Sequence, residues 1–417
     1  MRIAMVHWAF VPVVGGVESH LATLGNELAR TGLRVSLLTG SVANETHERS
    51  YGMDVERSPH LDLHRLRAHS DARADDVVRL AIGRFLDRQR PDVVHAHNMH
   101  YFSTTHLDAL DAWCRLAAVP LVLTAHNIWA DALARALSLR SPAFARVIAV
   151  SNYVARELDL SGYDKETIDV VHHGIDTARF ARQPHRREVV YARYPEMRGR
   201  PIVFHPARSS VTKGSLVAIE ALDRVRRRHP DVLLVCAGTG QIVDWDNVQG
   251  SELAAIRDSV MQLGLASNVL LRPFSWEEMA DLYQVADVTV YPSINEEPFG
   301  IAVIEAMASG SPVIVTASGG MPEFVEDGVT GFVVPRHDAG ALAHRIEEIL
   351  DDPIQADAMA LRARQAVVAR HSVAEMARRT VMSYQRALAS PRFQRPWPSP
   401  AGHTADGLRT RAAPTPF

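Results

Sequence analysis

Apolar positions along the chain fall into two alternating rhythms. Short unbroken runs of Val, Ile, Leu and Ala are separated by longer stretches in which apolar residues recur every three or four positions. In the first half the runs predict strands at Arg2–His7, Arg34–Thr39, Val93–His95, Leu121–Thr124, Val147–Val150 and Ile168–His172, with Leu61–Leu66 as a further candidate. The spaced stretches predict helices over Val17–Arg30, apolar at 17, 21, 24 and 28, and over Asp75–Gln89. Residues 40–60 are polar and read as loop. Unbroken apolar strands are buried on both faces, which means a parallel sheet, and strand–helix alternation with short connections means a doubly wound one.

Residues 177–200 break the rhythm. They are basic, with little Val, Ile or Leu beyond Val189-Val190, and read as an interdomain connection carrying a short helix. Alternation then resumes with strands at Ile202–His205, Val232–Cys236, Val269–Leu271, Val288–Tyr291, Val313–Val315 and Phe332–Val334, and late helices over 339–351, 354–369 and 373–388. The expected α/β architecture is two Rossmann-like domains facing a cleft, over residues 1–180 and 181–372. Residues 390–417 are rich in Pro, Gly, Ala and Arg without period and are expected to be disordered.

Composition changes this picture little. A 417-residue chain, 47% hydrophobic and 22% charged with net charge −3, is that of a two-domain globular protein with no global pull toward nucleic acid. Its two cysteines, Cys114 and Cys236, read as buried apolar residues. No apolar run is long enough to span a membrane, and the N-terminus begins a strand without a signal-peptide layout, so a cytoplasmic location is expected. One bias is informative: of 45 basic residues only Lys165 and Lys213 are lysines, so a lysine at a motif position stands out.

The densest chemistry lies at 291–310, YPSINEEPFGIAVIEAMASG. A strand ends at Tyr291, Pro298-Phe299-Gly300 turns the chain, and a helix starts at Ile301. Glu297 falls in the loop and Glu305 one turn into the helix. The seven residues between them suit two carboxylates facing one ligand across a helix N-terminus, whose free N–H groups favour phosphate or sugar hydroxyls. A plain helix with early acidic residues would also fit. Gly15-Gly16 follows the first strand and lets backbone approach a ligand. Neither it nor Gly238-Thr239-Gly240 carries the third glycine of a dinucleotide fingerprint, which speaks against a dehydrogenase. Arg208 and Lys213, five apart after the strand at 202–205, offer two cations for a diphosphate. His95, His97 and His100 invite a metal, but alternating residues on a strand face opposite ways and no carboxylate or cysteine completes a set, so none is expected.

Together Pro292-Ser293, Glu297, Phe299-Gly300, Glu305-Ala306-Met307-Ala308, Gly310 and Pro312-Val313 resemble the E-x7-E region of the retaining family 4 glycosyltransferases, which have the GT-B fold. Glu296 is out of register, so the role falls to Glu297. The likeness extends to Gly15-Gly16, to Arg208 and Lys213 (with Ala207 where the family has glycine), to Val150-Ser151, to His173-Gly174-Ile175-Asp176 (His173 in place of Asn), and to Ser318-Gly319-Gly320. It spans roughly residues 1–388. It implies that the helix over 373–389 crosses back onto the first domain. It also implies transfer of a sugar, with retention and without a metal, from a nucleotide-diphosphate sugar (UDP-linked by expectation) to an acceptor hydroxyl. On this resemblance Arg208 and Lys213 neutralise the departing diphosphate, helped by N–H groups near Gly300 and Ile301 in the Phe299-Gly300-Ile301 turn. Glu305 takes ribose hydroxyls, and Glu297 orients the sugar and favours positive charge at its anomeric carbon. His126 positions the donor sugar, His97 lines the acceptor cleft, and Gly15 and Gly16 cap donor phosphate and acceptor. Pro273 stands where the family has a glycine beside the nucleobase, which loosens the base assignment. Asp244-Trp245-Asp246 imitates the D-x-D motif of the other glycosyltransferase fold and reads as chance. The absence of a strongly apolar basic helix in the first half points to a small soluble acceptor such as a cyclitol, an aminocyclitol or a sugar. A lipid or cell-envelope acceptor, an epimerase or phosphorylase on the same fold, and a non-catalytic sugar-nucleotide binder are the rivals.

Overall fold

The computed structural model describes residues 1–390 except 14, 41–43, 45, 63–71, 102, 130, 132–133, 136–137, 140–142 and 239–247. Asp244-Trp245-Asp246, the tail after Ser390 and most of the candidate strand at 61–66 lie outside the described residues; Leu61 itself ends a 3-10 turn, Pro59–Leu61.

The first half alternates β1 (Arg2–Val6), α1 (Gly16–Arg30), β2 (Arg34–Gly40), β3 (Thr46–Ser50), β4 (Met53–Ser58), α2 (Ala72–Gln89), β5 (Val93–His97), α3 (Thr104–Ala117), β6 (Leu121–Ala125), β7 (Arg146–Ala149), α4 (Asn152–Leu160) and β8 (Ile168–Val170). The sheet order is β3-β4-β2-β1-β5-β6-β7-β8, parallel except for β3 against β4. Residues 46–58, read above as loop, are therefore a strand pair. β3 is a polar edge strand with four of its five residues exposed, so it shows no apolar alternation from which a strand could be read.

After α5 (Arg186–Arg193) the second half runs β9 (Ile202–His205), α6 (Ser215–Val225), β10 (Leu233–Gly238), α7 (Val248–Gln262), β11 (Val269–Pro273), α8 (Trp276–Val285), β12 (Val288–Tyr291), α9 (Ile301–Ser309), β13 (Val313–Thr316) and β14 (Phe332–Val334). Its sheet is parallel, in the order β11-β10-β9-β12-β13-β14. Pro273 ends the edge strand β11, the position in a sheet where a missing N–H does least harm. Three helices close the chain: α10 (Ala339–Asp351), α11 (Pro353–Arg370) and α12 (Val373–Ala389). α12 packs on α1, β6 and β7 of the first half, where Tyr384 is fully buried.

The halves also touch at the cleft. Ser151 Oγ donates to the Pro298 carbonyl at 2.6 Å, and Glu323 accepts from the N–H groups of Asn152 and Tyr153 at the start of α4, at 2.9 and 2.7 Å. An acid at a helix N-terminus is favourable, and here it comes from the opposite half.

Candidate active site

In open α/β sheets ligands bind beyond the carboxyl ends of the strands, where strand order reverses. Those points are β1, between β2 and β5, and β9, between β10 and β12. The loops that follow them face each other across a cavity of about 320 Å³. Gly15, Gly16 and His126 line it from the first half; Lys213, Glu297, Phe299, Gly300, Ile301 and Glu305 line it from the second. Eight residues apart in sequence, Glu297 and Glu305 thus face one space.

Glu297 is held from beneath by the Ser318-Gly319-Gly320 turn. The Gly320 N–H donates to the Glu297 carbonyl at 2.8 Å, and the Glu297 N–H donates to Ser318 Oγ at 2.9 Å. Gly319 has φ +50, and a Cβ there would sit 2.0 Å from the Glu297 carbonyl oxygen, so a side chain would dislodge the loop. The Glu297 carboxylate accepts from Lys213 Nζ at 2.6 Å and, more loosely, from the Tyr291 hydroxyl at 3.4 Å. Burial works against the charge on Lys213, but Glu297 more than offsets it and holds the ammonium above its usual range. Gly214, at φ +82, lets the lysine loop close on Pro292, whose carbonyl oxygen a Cβ would meet at 1.8 Å. Glu296, excluded above on register, turns away to Arg336 at 2.7 Å and to the Gly319 N–H at 2.5 Å.

α9 starts at the cavity with Gly300 as its N-cap, at φ +95 and with no side-chain cap, so its first N–H groups are available to an anion. One turn in, Glu305 meets the Tyr283 hydroxyl at 3.0 Å. Burial pushes the Glu305 carboxyl up to about 7, against the pull of Tyr283 and Arg179.

The first-half wall is histidine-rich. His126 Nε2 lies 3.0 Å from His97 Nδ1, and His20 Nδ1 lies 2.9 Å from His173 Nδ1. Burial and mutual repulsion push His97, His126 and His173 well below the usual imidazole range, and His20 to about 3, so all four are neutral at physiological pH. The alternation argument used above for the strand histidines fails. His95 and His97, two residues apart on β5, share a face with ring centroids 4.1 Å apart, as a period of two requires. One ring nitrogen on each of His20, His97 and His126 lies within 4.8 Å of the others. Imidazole nitrogens are a zinc-ligand type; here His97 and His126 are hydrogen-bonded to each other, and His20 to His173.

Two expected residues sit apart from the cavity. His97 is fully buried behind His126, which it supports. Arg208 is exposed on the lysine loop and is not part of the cavity lining. Conversely, Tyr291, Trp276, Met279 and Asn127 line the cavity without having been singled out, while Phe274 lines it next to Pro273, the position that the resemblance puts beside the nucleobase. Tyr291 and Asn127 adjoin the motif residues; Trp276 and Met279 are placed by tertiary folding and left no sequence signal.

Two Rossmann-like domains facing each other across a cleft at the carboxyl ends of their strands are the GT-B architecture. The model described as "Glycosyltransferase Family 4" matches residues 14–179, and that described as "Glycosyl transferases group 1" matches residues 191–366. The chain is 30% identical to a glycogen synthase of Mycobacterium tuberculosis, over 95% of this chain and 97% of that protein. It is 33% identical to a D-inositol 3-phosphate glycosyltransferase of Mycolicibacterium smegmatis, over 74% of this chain and 70% of that protein. A crystal structure of Anabaena Alr3699/HepE in complex with UDP-glucose superposes with a TM-score of 0.75 at 20% identity, covering 92% of this chain and 99% of that one. The chain belongs to the family 4 glycosyltransferases of the GT-B fold and transfers sugar from a nucleotide-sugar donor. Among the described residues no helix is long and apolar enough to cross a membrane.

Proposed function

We propose that the protein is a retaining, metal-independent glycosyltransferase that moves a sugar from a UDP-linked donor to a hydroxyl of a small polar acceptor in the cytoplasm. The observation that carries this reading is the convergence of Lys213, the uncapped N-terminus of α9, Glu297, Glu305 and His126 on one cavity. Lys213 and the α9 N–H groups take the β-phosphate of the donor and the charge that grows on it as the glycosidic bond breaks. Arg208 closes on the diphosphate from the rim. Glu305 accepts from the ribose. Glu297 lies under the anomeric carbon and favours its positive charge, while His126 and the Gly15-Gly16 loop hold the sugar from the other half. The acceptor hydroxyl attacks from the face the diphosphate leaves, so configuration is kept. Closure of the halves excludes water, which would otherwise hydrolyse the donor. The similarity to a D-inositol 3-phosphate glycosyltransferase supports a polyol-like acceptor.

A panel of nucleotide sugars, read by release of nucleoside diphosphate with small polyols and sugars as acceptors, tests the reading. UDP donors are expected to turn over, with the anomeric configuration of the donor kept in the product; inversion, or release only from other nucleotides, would overturn it. Activity is expected to be unchanged by EDTA, because cationic side chains and a helix N-terminus replace a divalent ion at the diphosphate. Loss of activity that Mg²⁺ restores would defeat the metal-free mechanism and revive Asp244-Trp245-Asp246. Lys213→Ala removes a charge-assisted hydrogen bond worth about 1.5–3 kcal/mol and is expected to lower kcat/KM roughly ten- to a hundredfold. Wild-type kinetics in that variant would place the diphosphate elsewhere.

A further inference from the structure

Behind Glu305 lies a second chamber of about 470 Å³, between α1, residues 173–180 and the start of α8; it shares Ile301, Trp276 and Glu305 with the cleft. Arg179 enters this chamber from the segment joining the two halves. Its guanidinium carbon lies 3.4 Å from the centroid of the Trp276 ring, and it donates to the Trp276 carbonyl at 2.5 Å. Its main chain is fixed as well: Asp176 Oδ1 accepts from the N–H groups of Ala178 and Arg179, each at 3.0 Å. A cation stacked on an indole and tied at its backbone is locked in place.

Glu305 is poorly supplied with donors. The Tyr283 hydroxyl has one proton, shared between Glu305 at 3.0 Å and the Ala302 carbonyl at 3.1 Å. Among the described residues that line the two cavities, the charged groups other than Arg179 are already engaged, and Tyr51 adds a neutral phenol. Glu27 and Arg30 pair at 2.7 Å on α1, and Lys213 and Glu297 pair at 2.6 Å across the cleft. Burial keeps His20 and His173 neutral. Asp176 is engaged by backbone N–H groups. Arg179 forms no ion pair with a described residue; its charge acts first on Glu305 and then on Glu277, Asp176 and Tyr51. Two vicinal ribose hydroxyls need two accepting oxygens; a protonated carboxyl has turned one of them into a donor.

We infer that Arg179 is a positioning residue of the donor site: braced on Trp276, it keeps Glu305 a carboxylate able to accept from both ribose hydroxyls, and so ties nucleotide affinity to the junction between the halves. This rests on Glu305 as the ribose anchor. Because burial raises the Glu305 carboxyl to about 7, the ionised form, and with it affinity, is gained as pH rises through that value and lost below it. Removing the Arg179 charge moves this midpoint up.

The test is UDP binding by titration calorimetry between about pH 6 and 9, in the range where such a carboxyl titrates. Arg179→Met keeps an apolar stem over Trp276 and drops the charge; Arg179→Lys restores a cation. The phosphate's own titration is common to all variants and cancels between them. The wild type is expected to tighten through pH 7 and level off. Arg179→Met is expected to bind about fivefold more weakly at pH 7 and nearly tenfold more weakly at about pH 6, recovering by about pH 9, as a shift of one pH unit requires. Arg179→Lys is expected to lie between them. With 2′,3′-dideoxyuridine diphosphate, wild type and Arg179→Met should bind alike. An Arg179→Met profile parallel to wild type, or an equal loss with the dideoxy nucleotide, overturns the inference. Glu305→Gln separates the two levels: if it binds UDP as wild type does, the ribose assignment itself falls; if it binds weakly while Arg179→Met keeps the wild-type profile, only the role of Arg179 falls.

Discussion

Glu297→Gln is expected to lower kcat by a hundredfold or more while leaving the Kd for UDP unchanged or slightly tighter. On the proposed mechanism its carboxylate lies under the position where positive charge develops only as the glycosidic bond breaks. An interaction made only in the transition state costs kcat and spares ground-state affinity when it is lost. Removing one preorganised electrostatic partner of a reacting centre costs about 3–4 kcal/mol, or about 10²–10³ in rate. In the free protein the same carboxylate holds Lys213 at 2.6 Å. Neutralising it releases the ammonium for the diphosphate, so binding does not suffer. Glu305→Gln is expected to do the reverse, raising the Kd for UDP and the KM for the donor together, because ribose hydroxyls do not change during the reaction. Titration of each variant with UDP, set beside steady-state kinetics, decides between them. A Glu297→Gln protein that binds UDP much more weakly, beside a Glu305→Gln protein that binds it normally, would show the two roles reversed.

The Lys213–Glu297 pair also bears on the order of events. On the proposed mechanism, the carboxylate that serves the sugar is satisfied by the lysine that serves the phosphate until the donor arrives. The incoming diphosphate would then compete for Lys213 and free Glu297. The two charges thus stabilise each other in the empty cleft and are both redirected by one ligand, without either being left buried and uncompensated.

Much of this is legible in the sequence, for physical reasons that differ by element. The central strands of both sheets are buried on both faces, so they show as unbroken apolar runs; Ile202–His205 and Val288–Tyr291 fall where those runs place them. β3 left no such trace, because an exposed edge strand needs no apolar face. Glu297, Glu305 and Lys213 were legible because local backbone demands accompany them: glycines at 214, 300 and 319 that only left-handed turns require. The histidine wall was not legible. Positions 20, 97, 126 and 173 meet only because β1, β5 and β6 are neighbours in the sheet and α1 lies over them, which is a fact of topology. The same holds for Arg179 on Trp276, 97 positions apart in sequence, where neither residue belongs to a recognisable pattern.

A variant ending at Ser372 is expected not to fold to a stable first half, whereas one ending at Ala389 should melt as the full chain does. α12 lies beside α1 on one face of the first sheet. It buries Met376, Ala377, Tyr384 and Ala387 in one cluster with Ile3, Leu37, Val93 and Val122. Its polar contacts are as tightly placed. The Tyr384 hydroxyl lies 2.7 Å from His95 Nδ1, whose Nε2 is 2.7 Å from Thr124 Oγ1 in the heart of β6. Ser383 donates to Asp169 at 2.8 Å, and Arg386 joins Arg146 on the same carboxylate. Burial drives the Asp169 carboxyl up, yet the hydrogen bonds from Arg146 and Ser383 hold it below its usual range. Removing the helix opens an apolar cluster to water, strips a buried histidine of its partner and leaves Asp169 with Arg146 alone. Loss of one large buried aromatic costs about 3–5 kcal/mol. Several such losses together reach the 5–15 kcal/mol by which a whole domain is stable. The measurement is thermal unfolding of the three chains, followed by circular dichroism and by calorimetry, since two halves need not melt in one step. The variant ending at Ser372 should be insoluble or lose its first-half transition, while the second-half transition persists. Equal melting of all three would mean that α12 contributes nothing to the first half and that the helix does not hold the two halves together.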